Sequence, residues 1–229
     1  MKVSEIVRQV RSAIDELMKN DSEFLRVSND ELNLEQVIVD KIGYGLQYVV
    51  ENASLDRLDG DSFETLTTEE LAGFAIDATS LVGRLKLPKD LLRIIEARLS
   101  SWPYFPIPES DRTQVALMQH DEYARGSWDR PVNILTYSDG DRYLEMYCAK
   151  EASDTLNFVF IRKPDVEDYS VSGGTDPEVS VPTQLESALI YQVAGLSMVA
   201  FRDDVASSLF AIAQRFLEPA ADATGTVGR

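Results

Sequence analysis

Apolar residues recur at steps of three and four through Val3, Ile6, Val7, Val10, Ile14, Leu17 and Met18, the period of a helix with one buried face. Ser4 is an alternative cap for its start. The same period returns in Leu34, Val37, Ile38, Ile42, Leu46, Val49 and Val50, with Asn33 and Gln36 at capping-box spacing before it and an end near Asn52. Residues 53–68 are polar and carry the turn signal Asp59-Gly60, and residues 69–77 have room for a short helical turn.

At Gly83 the period changes to two. Leu85 and Leu87 alternate with Arg84 and Lys86, and Pro88 closes the run, which predicts a strand. The stretch DLLRIIEARLSSW from Asp90 fits helix and strand templates equally poorly; its flanking prolines, Pro88 and Pro103, favour strand. Pro103, Pro106 and Pro108 impose an extended crossing, and RTQVALMQHDEY from Arg112 reads as one short helix. Alternating runs on both sides of Asp139-Gly140 predict a hairpin. TLNFVFIRKP predicts a further strand ending at Pro164, with Phe158 and Phe160 on one face and Val159 and Ile161 on the other. Residues 165–183 hold Gly173-Gly174, Pro177 and Pro182 and no period, so they read as a long loop. Thr183 and Glu186 have capping-box spacing before a helix that turns Leu185, Leu189, Val193, Leu196, Val199 and Ala200 inward and runs through Phe201. A second helix starts near Asp204 and carries Val205, Leu209, Ile212 and Phe216. Residues 218–229 are small and polar and read as a flexible tail.

The expected fold class is α+β: a helical bundle formed by the N- and C-terminal helices, with a β-rich module, an antiparallel meander, inserted between them. The divisions are residues 1–82, helical; 83–164, β-rich; 165–183, loop; 184–217, a helix pair; and 218–229, tail.

Charge follows these divisions. The 229 residues carry a net charge of −17, and the nets are −10 for residues 1–82, 0 for 83–163 and −7 for 164–229. A surface this acidic repels phosphate backbones, which excludes sequence-specific DNA binding. One cysteine and one histidine exclude an intramolecular disulfide and a structural zinc site. Without an apolar run of membrane-spanning length or a secretory leader, a soluble protein made in the cytosol and free of membranes is expected.

Candidate chemistry is sparse. Phosphate-loop, dinucleotide, zinc-protease and nucleophile-elbow motifs are missing, so an enzyme is not expected, and no catalytic, cofactor-binding or metal-binding residue and no cofactor is assigned. His120 reads as an ordinary polar residue on the short helix, Cys148 as a buried, inert thiol on a strand, and Gly43-Tyr44-Gly45 as a site of close helix packing. LDGDSFE from Leu58 lacks the ligand order of a calcium loop. Trp102, Tyr104 and Phe105 suit a contact patch or local core equally.

The order of these elements resembles the head–tail connector proteins of tailed phages, above all the portal-proximal ring or adaptor proteins of short-tailed, crAss-like phages. The resemblance covers Gly83 to Leu217, with Pro88, Trp102, Gly126, Arg130, Pro131, Lys163, Pro164 and Pro182 as landmarks. It implies a structural virion protein assembled after synthesis in the host cytoplasm. It also implies a homo-oligomeric ring, twelve-fold like a portal, with the portal protein and other connector or tail proteins as partners and non-specific passage of genomic DNA. The rival is a capsid- or tail-assembly module that forms no portal-bound ring. An acidic wall suits a passive conduit, because tightly bound phosphates would stop the genome sliding. On this reading the balanced middle makes contacts outside the channel. Asp15, Glu16, Glu35, Asp40, Asp203 and Asp204 are then candidate channel-facing carboxylates, against the alternative that they are solvated helix faces.

Overall fold

A computed structural model describes residues 1–18, 34–121, 125–164 and 176–219. The chain divides into two compact units. One joins Met1–Ser62 to Pro164–Arg229, and the other is Phe63–Lys163. Helices from both ends of the chain therefore flank an inserted β-rich region, an α+β arrangement.

The first unit is helical. Helix α1 (Val3–Leu17) buries Val3, Ile6, Val10, Ala13 and Ile14, the stripe its period demands. Ser4 does not cap it. The N-cap is Lys2, without a side-chain bond, and Ser4 instead donates from its backbone N–H and its Oγ to Asp176, at 3.1 and 2.6 Å. Val3 N–H donates to Pro177 O at 3.0 Å and Val179 N–H to Met1 O at 2.7 Å. The end of the expected loop is thus laid against the first turn of α1; residues 165–175, with Gly173-Gly174, lie outside the described residues, as do Asn33 and most of the tail.

Helix α2 (Leu34–Asn52) and helix α5 (Glu186–Met198) meet through a glycine. A Cβ on Gly45 would sit 2.6 Å from Val193 Cγ2 and 3.5 Å from Leu189 Cδ1, so the GYG stretch is a close-packing site, as expected. Helix α5 is buried almost all round, including Gln192 and Ser197, because it packs against α1, α2 and α6 (Asp203–Leu217). Two expectations fail here. Pro182 leads into a 3-10 turn at Thr183–Leu185, which moves the start of α5 to Glu186 and leaves Thr183 and Glu186 without their reciprocal cap. The helix also stops at Met198, short of Phe201.

Among the described residues, the second unit holds eight strands and two short helices: β1 (Glu64–Thr65), α3 (Thr68–Leu71), β2 (Ala75–Ile76), β3 (Gly83–Lys86), β4 (Leu91–Leu99), β5 (Glu109–Ser110), α4 (Gln114–Met118), β6 (Val132–Ser138), β7 (Asp141–Tyr147) and β8 (Leu156–Arg162). They form two sheets, ordered β1-β8-β4 and β2-β3-β7-β6-β5. The single meander is therefore corrected. Strand β8 does not continue the β6–β7 hairpin but pairs antiparallel with β4, from Leu91↔Arg162 to Leu99↔Leu156, and the chain passes between the sheets after β1, after β3, after β4 and after β7. The hairpin itself is as expected: Asp139 and Gly140 have φ of 55° and 83°, the two left-handed residues of a type I′ turn.

Residues 63–82 belong with the strands rather than with the helical flank. Strand β1 pairs with β8 and β2 with β3, and Leu66 enters a core made with Leu85, Leu87, Leu99, Trp102, Leu144, Met146, Phe158 and Phe160. Two register shifts in β4 bend it around that core. On β8 both Phe160 and Ile161 are buried, so each face of the strand is covered. Asn133 of β6, wholly buried, donates from Nδ2 to Ala97 O at 2.9 Å and to Pro106 O at 3.0 Å, which ties the second sheet to β4 and to the proline crossing.

Candidate functional site

The chemistry of the helical unit is carboxylate. Asp15 and Glu16 are exposed in the last turn of α1, Glu35 and Asp40 on the outer side of α2, and Asp203 and Asp204 in the first turn of α6. Each faces water because the apolar period of its helix turns the opposite side inward. Local partners engage three of them. Arg11 donates to Glu35 at 2.5 Å, Gln36 to Asp40 at 2.8 Å, and the Arg202 fork to both oxygens of Asp204 at 3.1 and 3.0 Å. That guanidinium holds the Asp204 carboxyl below the usual carboxylate range. Glu5 is held at about 2 in the same manner, by Arg8 and then Gln9.

Helix electrostatics separates the six. Asp203 and Asp204 sit at the positive end of α6, where a carboxylate is favoured; Asp15 and Glu16 sit at the negative end of α1, which has no basic residue in its last turn. Local helix physics thus accounts for the α6 pair and opposes the α1 pair. Across the units the division persists but is less sharp than between the chain segments, because residues 64–77 carry four carboxylates into the β unit. The helical unit has 10 Lys and Arg against 23 Asp and Glu, a net of −13, and the β unit has 12 against 16, a net of −4.

The singular residues lie in the β unit. His120 falls just beyond α4 rather than on it, exposed, with its ring edge-on to Tyr147 at 6.3 Å. Cys148 follows β7 with φ 71° and is half-buried. Burial pushes its thiol up, against the opposing pull of Arg125, and a thiol kept protonated is a poor nucleophile. Trp102 is core, 3% exposed, its indole N–H donating to Cys148 O at 3.2 Å. Phe105 packs partly against that core, whereas Tyr104 is exposed. Near the DGDSF stretch the chain makes 3-10 turns at Leu55–Arg57 and Gly60–Ser62. Among the described residues no group of three His, Cys, Asp or Glu could hold a metal ion, and no helix is long and apolar enough to cross a membrane.

One cluster escaped the sequence reading. Arg162 at the end of β8 donates to Glu64 at 2.8 Å, to Glu70 at 3.4 Å and to Asp90, so one guanidinium ties β1, α3 and the β3–β4 turn together. Thr67 and Glu70 make the reciprocal capping box that Thr183 and Glu186 do not. The Thr-x-x-Glu spacing was its visible signal.

No protein-family model matches the chain, and a search of the curated proteins finds no match either.

Proposed function

We propose that the chain is a structural virion protein, a subunit of the homo-oligomeric ring beneath the portal in the head–tail connector of a tailed phage. The ring, twelve copies on the portal's symmetry, gives the tail a docking surface and the genome a passive channel. Its partners are the portal and other connector or tail proteins, and its place is the virion.

The observation that carries this reading is the segregation of charge. A helical unit of net −13 is the part suited to line a conduit, and a β unit of net −4 is the part able to meet like neighbours without strong repulsion. Asp15 and Glu16, kept at a helix end that disfavours them, fit a carboxylate surface retained for use rather than for stability. The resemblance over Gly83 to Leu217 supports the same assignment. Reconstruction of particles containing this chain tests it. Density for the chain in a closed ring below the portal agrees with the proposal, and density confined to the capsid shell or the tail overturns it.

A further inference from the structure

The β unit has an open hollow of about 440 Å³ where residues distant in the chain converge. Arg84 comes from β3, Glu145 and Tyr147 from β7, Asp77 from the turn after β2, and His120 and Arg125 from the segment after α4.

Its acceptors are partly used, through one oxygen of each carboxylate. Asp77 Oδ1 takes the N–H of Thr79 at 2.9 Å and both the N–H and the hydroxyl of Ser80, at 2.6 and 2.9 Å. Glu145 Oε2 takes the Tyr147 hydroxyl at 2.9 Å. Gln119, also on the wall, donates to Val115 O and accepts from Gly126 N–H.

Its donors are left over. Among the described residues neither the Arg125 guanidinium nor the His120 imidazole has a hydrogen-bond partner. Arg84 stacks over the Tyr143 ring at 4.1 Å, and its nearest carboxylate oxygen, on Glu145, is 3.8 Å away, beyond hydrogen-bond reach. Unspent donors on two guanidinium forks call for an oxyanion. Charge selects among oxyanions. Asp77 and Glu145 cancel Arg84 and Arg125, so a monoanion leaves one negative charge in the hollow and a phosphate dianion two, beside two fixed carboxylates. The planar carboxylate also matches the guanidinium fork. The backbone at the rim is held against its own preference: Leu81 and Cys148, which adjoin the lining residues Val82 and Tyr147, have φ of 55° and 71° and are linked through Ala149 N–H to Leu81 O at 3.0 Å.

We propose that this hollow is a carboxylate-binding site, occupied by a small free monocarboxylate or by an acidic side chain of a peptide segment. The site stands independently of the connector reading.

His120 is the sole histidine, so its imidazole resonances are a unique NMR reporter. The full chain at low salt is titrated with butyrate and, separately, with an end-capped Gly-Glu-Gly peptide. Saturable shifts of the His120 resonances are expected with millimolar dissociation constants, as exposed ion pairs allow. Arg125→Ala should weaken binding by about fivefold, and Arg84→Ala likewise, with the rest of the amide spectrum unmoved. Tighter binding of butyrate marks a free monocarboxylate as the ligand, and tighter binding of the peptide marks a protein segment. The proposal is overturned if neither probe shifts His120 saturably, if chloride at equal ionic strength reproduces the shifts, or if both alanine variants bind as the parent does.

Discussion

Replacing Gly45 by alanine sets two opposed effects against each other, and the structure decides between them. Alanine in a helix interior is favoured over glycine by about 1 kcal/mol. Against that, the new methyl would lie 2.6 Å from Val193 Cγ2. Val193 is wholly buried, and a β-branched side chain in a helix has one strongly preferred rotamer, so the methyl cannot swing aside. Overpacking of this kind costs roughly 1–3 kcal/mol, and a contact this short with a stiff neighbour belongs at the upper end. The expected net loss is about 1–2 kcal/mol. Urea unfolding followed by helical circular dichroism should show it as a midpoint lower by about 0.5–1 M. Val193→Ala alone should cost about 2 kcal/mol. In the double variant the clash is gone, so the combined loss should fall short of the sum by at least about 1 kcal/mol. Gly73→Ala, whose Cβ would meet nothing within 4 Å, is the control. A raised midpoint for Gly45→Ala, or additive losses in the pair, would refute the reasoning.

Other expectations concern the β unit and the acidic faces. Arg162→Ala should lower the stability of the β unit by about 1–2 kcal/mol in thermal unfolding, because three carboxylates lose a shared partner. The Thr67 N–H, followed by the Thr67 hydroxyl and Arg162, holds Glu70 below its ordinary value of 4.5. Its contribution is therefore complete above that pH and lost as the pH falls through the lower folded value, and Glu70→Gln should flatten the acid limb of a stability–pH curve. Asn133→Ala leaves two buried carbonyls without their donor and should cost about 2–3 kcal/mol in urea unfolding. Lysine at Asp15, Glu16, Glu35 and Asp40 should leave folding nearly unchanged, whereas at Asp203 and Asp204 it should lower stability modestly, by reversing the charge favoured in the first turn of α6 and removing the Arg202 partner of Asp204. In particles shown to carry these lysines, DNA ejection should slow, less so at high salt; unaltered ejection would remove these residues from the channel wall.

Local patterns were legible where one buried face imposed a period. The stripe of α1, the stop of α2 at Asn52 and the Asp139-Gly140 hairpin follow from spacing and turn residues, whereas the strand identity of Leu91–Leu99 was signalled by the flanking Pro88 and Pro103 and not by any period. What spacing does not carry is which strand lies beside which. Strand β8 looks like the next strand of a meander, yet its partner β4 precedes it by more than fifty residues, and β1 and β2 are only two residues long, too short for any period. Capping-box spacing was ambiguous for a related reason: Pro182 reshapes the backbone ahead of Thr183, whereas nothing interferes at Thr67. The hollow was invisible because Asp77, Arg84, His120 and Glu145 have no common sequence spacing and are joined only by the fold.

The proposed ring assignment is tested most directly by native mass spectrometry of the chain alone and mixed with the portal protein that the proposal gives it as a partner. Twelve copies at −17 each would carry about −204, so free subunits are expected to resist self-association until a portal template organises them. A closed ring of twelve copies appearing with the portal is the expected result. A strictly monomeric species in both samples at micromolar concentration would contradict the account.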